Sequence, residues 1–122
     1  MSECNVCLSM DVCDYADDFA ESAVLASVAP FKCCECARQF HAGALVQLAY
    51  LRYGDDTTEY ETCSDCVEIH KALSCDGDRL FGDLWESIED AVFPDMTLAC
   101  IAKVKTASAR AYLQDEWRKW KR

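Results

Sequence analysis

The chain has 122 residues and a net charge of −10, with 52% hydrophobic and 28% charged residues and only four glycines and two prolines. That is the make-up of one folded domain and excludes a disordered chain. No apolar run approaches the roughly 20 residues that a membrane-spanning helix needs.

The N-terminal stretch MSECNVCLSMDVCDYADD has no basic n-region, apolar h-region or cleavage site. A soluble protein of a reducing cytoplasm is therefore expected, where paired thiolates mean zinc rather than disulfides. Residues 1–32 carry Tyr15, Phe19, Val24, Leu25 and Val28 at a spacing that predicts a helical face. AVLASVAPF can equally be extended, with Pro30 ending any helix before it. Residues 44–53, ALVQLAYLRY, are rich in strand formers, GDD at 54–56 is a turn signal, and TTEYET at 57–62 alternates as a half-exposed strand does. Together they predict a β-hairpin. CSDCVEIHKAL then starts a helix, with Ser64 and Asp65 in the polar first turn. A second short helix is expected over RLFGDLWESIEDAV, with Leu80, Leu84, Trp85, Ile88 and Val92 on one face, and FPD interrupts it. Asp95 is expected to cap one long final helix carrying Met96, Leu98, Ile101, Ala109, Tyr112, Leu113, Trp117 and Trp120.

Ten cysteines in 122 residues call for either disulfides or metal. CxxC occurs at Cys4–Cys7, Cys33–Cys36 and Cys63–Cys66, the last pair separated from Cys36 by 26 residues (37–62) and at the start of a helix. A knuckle, a hairpin and a helix entered through a second CxxC are the layout of a treble-clef zinc finger. The fold class expected is α+β: a treble-clef-like zinc module followed by a helical C-terminal region. The expected division is a single domain over 1–122, with an N-terminal segment 1–32, a zinc module 33–75 and a helical region 79–122. Zn²⁺ takes four soft ligands in a tetrahedron, so Cys33, Cys36, Cys63 and Cys66 are the expected metal ligands. Neighbouring cysteines point apart, which leaves Cys34 outside that clamp. A second zinc is expected on Cys4 and Cys7 with Cys34 and Cys75, Cys13 being a further spare thiol; the alternative is a frayed N-terminus with free thiols. His41 and His70 could each replace a cysteine but read better as surface or packing residues. Cys100 lies within the apolar pattern of the last helix and reads as a small core residue.

Several of these elements recur together elsewhere. CCEC at 33–36, Gly43, Tyr50 or Tyr53, TCSDC at 62–66, Cys75 and FGDL at 81–84 resemble the pattern of small zinc-binding proteins encoded by tailed bacteriophages and prophages. The resemblance spans Cys33 to about Trp85. It departs in the hairpin, which lacks a Gly-Trp turn, and in the long C-terminus. It implies a phage setting and metal binding and supplies no activity; with the N-terminal reading above, a host-cytoplasm location is expected.

Charge separates the function classes. Residues 1–94 hold 19 acids and 5 bases, whereas residues 95–122 hold 3 acids and 7 bases. The acidic part repels nucleic acid and could occupy a basic groove on another protein. The expected function is a non-enzymatic, zinc-stapled phage protein that binds and inhibits a host protein of defence or nucleic-acid processing. The alternative is nucleic-acid binding through the basic C-terminal helix, with Arg118, Lys119, Lys121 and Arg122 as contacts between Trp117 and Trp120 or beyond them. No phosphate loop or nucleophile elbow is present, and two histidines are too few for a treble-clef nuclease. No membrane partner is expected, and the long helix leaves a homo-oligomer open.

Overall fold

The computed structural model describes residues 4–9, 17–75, 77 and 79–122. In chain order these form β1 (Asp18–Glu21), β2 (Leu25–Ala26), β3 (Phe31–Lys32), β4 (Gln39–Phe40), β5 (Leu45–Tyr53), β6 (Asp56–Cys63), α1 (Ser64–Leu73), α2 (Leu84–Ala91), a 3-10 turn (Phe93–Asp95), α3 (Leu98–Ala102) and α4 (Ala107–Lys121). The chain is mixed α+β.

The expected hairpin is β5–β6, in register from Val46 opposite Cys63 to Tyr53 opposite Asp56. Its two-residue turn begins at Gly54, where φ is +61°. A positive φ at the first turn position suits the twist of the flanking strands and costs glycine nothing. The Gly54 amide also donates to Asp17 Oδ2 at 2.6 Å, and Arg52 pairs with Asp18 at 2.8 Å, which ties β1 to the hairpin end.

The helix expected over the N-terminal segment is not formed by its described part. β1 and β2 both pair antiparallel with β5, one after the other along the same strand. Ser22 joins them: its amide donates to Leu48 O at 2.8 Å and its hydroxyl accepts from Leu48 N at 2.9 Å. The 3.6-residue spacing of Phe19, Leu25 and Val28 does not produce a buried face, since all three are exposed. Without a face to bury, a helix has little advantage over pairing with an available strand. Tyr15, the first residue of that pattern, lies outside the described residues.

The single long final helix is replaced by α3 and α4. Val104 is wholly buried between them, its carbonyl accepts from Arg110 Nη1 at 2.8 Å, and Thr106 caps α4 through its side chain, accepting from Ala109 N at 3.4 Å. A buried valine and, two residues on, a capping threonine end one helix and start another. Asp95, the expected cap, sits in the 3-10 turn instead.

One continuous core runs from Leu8 and Phe31 through Ile69 and Leu73 of α1, Leu84 and Ile88 of α2, Val92 and Phe93, to Ala109 and Leu113 of α4. Helix α1 is its axis, packed against β5 and β6 on one side and α4 on the other. The four cysteines of the expected clamp lie at one end of that axis.

Candidate metal centre

The first pair of sulfurs comes from the short β3–β4 hairpin. Phe31 and Phe40 face each other across it with rings stacked 5.1 Å apart. The turn between them is closed by Ala37 N to Cys33 O and Cys33 N to Arg38 O, both at 3.0 Å. Ala37 takes φ +63° there, a left-handed conformation unusual outside glycine. The second pair comes from the junction of β6 and α1: Cys63 is the residue before the helix, with extended backbone, and Cys66 lies in its first turn. The helix start faces its partial positive charge towards these sulfurs.

Cys33, Cys36, Cys63 and Cys66 offer four Sγ atoms within 4.8 Å of one another, and Cys36 and Cys63 are 3.8 Å apart. A tetrahedron with metal–sulfur distances of about 2.3 Å has edges of about 3.8 Å. The donor set and its spacing therefore fit a metal such as zinc.

Neighbouring groups donate to every sulfur. Cys33 Sγ accepts from the amides of Glu35 at 3.4 Å and Cys63 at 3.3 Å. Arg38 reaches Cys36 with Nε at 3.2 Å and Cys63 with Nη2 at 3.7 Å, while Nη2 also meets Asp65 Oδ2 at 3.1 Å. Trp85 Nε1 donates to Cys66 at 3.4 Å. The Arg38 guanidinium lies 3.6 Å from the Tyr112 ring centre and 5.2 Å from that of Phe40, which fixes its plane. Trp85 meets Tyr112 edge-on at 5.2 Å. Helices α2 and α4 thus reach the cluster through aromatic side chains.

Crowding four sulfurs splits their acidity. Cys36 is held well below the ordinary thiol range by hydrogen bonds from Cys33, Cys63 and Cys66, whereas Cys63 and Cys66 are pushed well above it, each by Cys33 and Cys36 first. Neighbouring thiolates oppose one another's ionisation, and a divalent cation among them reverses that. Cys34 stands apart: its sulfur lies 3.3 Å from Thr62 Oγ1, and burial pushes its thiol up to about 11.

Glu35 and Arg79 lock the knuckle to the rest of the fold. Glu35 Oε1 accepts from the amides of Gly82 at 2.9 Å and Leu84 at 3.2 Å, and its side chain is only 2% exposed. Arg79 lies 3.8 Å from Glu35 Oε2, donates to Thr62 Oγ1 at 3.1 Å and to Gln47, and stacks over Phe81 at 4.2 Å. The CCEC and FGDL stretches, distant in sequence, are hydrogen-bonded to each other through one carboxylate.

The other expected site residues fall elsewhere. The structure groups the expected second set differently: Cys4 is disulfide-bonded to Cys100 and Cys7 to Cys75, while Cys34 stays with Thr62. Geometry explains it, because the Cys34 amide is tied to Glu61 O at 2.9 Å on β6, whereas Leu8 N bonds Leu73 O at 3.0 Å at the far end of α1. Cys13 lies outside the described residues. Cys100 is fully buried, as a core residue should be, but is bonded to a partner 96 positions away. His41 is exposed and His70 is buried on α1; neither belongs to the four-sulfur cluster. On α4, Arg118 faces Asp115 at 3.9 Å, Lys119 pairs with Glu116 at 3.2 Å and Lys121 sits over the Trp117 ring at 3.7 Å, with Arg122 at the helix end. Spacing singles out neither Arg38 nor Glu35, and it places Trp85 on the apolar face of its helix without linking it to the sulfurs. The only sequence signal for Arg38 was its place two residues after Cys36.

Among the described residues no helix is long and apolar enough to cross a membrane. Comparison of the chain with family models, with curated proteins and with solved structures finds no match.

Proposed function

We propose that the chain is a non-enzymatic binding protein. In this reading zinc on Cys33, Cys36, Cys63 and Cys66 staples a treble-clef-like module, and the outer face of the sheet docks a protein partner. Four sulfur ligands complete a tetrahedron and leave no position for an attacking water, which is the arrangement of a structural metal.

The observation that carries the reading is a groove of about 620 Å³ on the outer sheet face, lined by Leu25, Val28, Leu48 and Tyr50 and by Glu59 and Glu61. Register places Glu61 opposite Leu48 and Glu59 opposite Tyr50, so apolar and acidic side chains run side by side along the face. Val28 is 99% exposed at its edge. A row of apolar side chains flanked by carboxylates suits a partner ridge of apolar residues flanked by lysines and arginines. The motif resemblance gives the partner its setting: a host protein whose basic surface the chain occludes, and so an inhibitor. Nucleic-acid binding by α4 has less support, because Arg118 and Lys119 already face acids on their own helix.

The test compares immobilised wild type with a Val28→Asp/Leu48→Asp variant in bacterial lysate, after a melting curve shows the variant folded. Both positions are exposed, so the fold should tolerate them. The reading expects a protein retained by the wild type, released by salt and lost from the variant. Equal capture by both, or retention of nucleic acid that depends on residues 118–122, contradicts it.

A further inference from the structure

Four cysteines outside the Cys33 cluster are joined in two pairs through one short segment. Cys4 and Cys7 form a CxxC at the start of the chain, Cys75 follows the C-terminal end of α1, and Cys100 lies in α3. Each CxxC sulfur is bonded to one of the distant pair, Cys4 to Cys100 and Cys7 to Cys75, with Cα atoms 4.8 and 5.3 Å apart. Two sulfurs separated by two residues can close on one ion. Each brings its bonded partner with it, so Cys100 and Cys75 are held to the two ends of one four-residue segment. Bonded sulfurs sit about 2 Å apart, and a tetrahedral edge is about 3.8 Å. Opening each pair to that edge therefore takes a shift of roughly 2 Å, within the range of side-chain rotation.

We propose that, once reduced, Cys4, Cys7, Cys75 and Cys100 form a second all-sulfur site for zinc, independent of the docking reading. Its parts repeat those of the Cys33 cluster: a CxxC segment and two later cysteines, one of them on a helix. The surroundings suit a thiolate centre of net charge −2. Thr97 Oγ1 lies 3.5 Å from Cys100 Sγ and can donate to it. Lys71, Lys103 and Lys105 line one cleft together with Glu68 and with Ser74, the residue before Cys75. Cys7 and Cys75 are exposed, so a reductant reaches their bond directly.

The conversion balances. Each disulfide takes two electrons and two protons from a dithiol, which closes to its own disulfide. The four thiols so formed release four protons to solvent as four thiolates take up one Zn²⁺.

The full chain is reduced with a dithiol without denaturant, desalted anaerobically and supplied with zinc. Metal per chain is then measured, and cysteines are mapped by alkylation and mass spectrometry before and after chelation. The proposal expects two zinc ions per chain. It also expects Cys4, Cys7, Cys75 and Cys100 to be protected by zinc and labelled once it is removed. A Cys7→Ser/Cys75→Ser variant should bind one zinc and keep Cys33, Cys36, Cys63 and Cys66 protected. One zinc per reduced wild-type chain, with Cys4, Cys7, Cys75 and Cys100 alkylated at the same rate with and without zinc, overturns the proposal. Disulfides that stay closed under the dithiol overturn it equally. Loss of protection at Cys33, Cys36, Cys63 and Cys66 alone would count against the first centre and leave this one standing.

Discussion

Arg38 does three things from one side chain. It donates to two sulfurs, pairs with Asp65 and lies flat on Tyr112. A planar guanidinium can do this at once, and an ammonium cannot. Groups that hold metal ligands in place typically contribute ten- to a hundredfold to affinity. Arg38→Ala is therefore expected to weaken zinc binding by about ten- to a hundredfold in competition with a chromophoric chelator, with Arg38→Lys recovering only part of the loss. Unchanged affinity in Arg38→Ala would mean that the sulfurs position themselves. Glu35 works at the same scale on the other side of the knuckle, where its carboxylate satisfies two amides at the start of α2. An amide left unpaired in that place would cost about 1–3 kcal/mol.

At the scale of elements, the break between α3 and α4 sets where the C-terminal helix lies. Thr106 caps α4 with its side chain, and the helix buries Ala109 and Leu113 against α1. Thr106→Ala is expected to lower stability by about 1 kcal/mol in a denaturant titration, and Thr106→Ser or Thr106→Asp to restore most of it. The break was hidden in the sequence because the apolar pattern continues through it: Ile101 and Ala109 are both core residues, and so is Val104 between them. Propensity alone does not stop a helix there; the burial of Val104 and the side chain of Thr106 do. The N-terminal segment misled for the opposite reason. Phe19, Leu25 and Val28 fit a helical period, yet the structure exposes all three, pairs Phe19 and Leu25 with β5 and places Val28 in a bend. The β5–β6 hairpin was legible because alternation, a glycine turn and β-branched residues all agree. Strand β6 shows it: Thr62 is buried and Tyr60 partly so, while Glu59 and Glu61 face outward.

The whole molecule is organised about α1, with Cys63 and Cys66 at its start and Cys75 just past its end. Sulfur chemistry at both ends staples a chain whose single core is small for the surface it must cover. The Cys33–Cys66 cluster could be read from spacing because two CxxC units need only a hairpin between them. The pairing of Cys4 with Cys100 could not, since nothing local connects residues 96 positions apart. Cys34 was separable from the clamp by adjacency alone, but its true neighbour, Thr62, depends on how β6 lies against the knuckle. If metal on sulfur holds the chain together, zinc-edge X-ray absorption of the purified protein will show an all-sulfur shell of four ligands at about 2.3 Å. A shell with nitrogen or oxygen in it, or a folded protein that carries no metal and binds none when reduced and supplied with zinc, would contradict it.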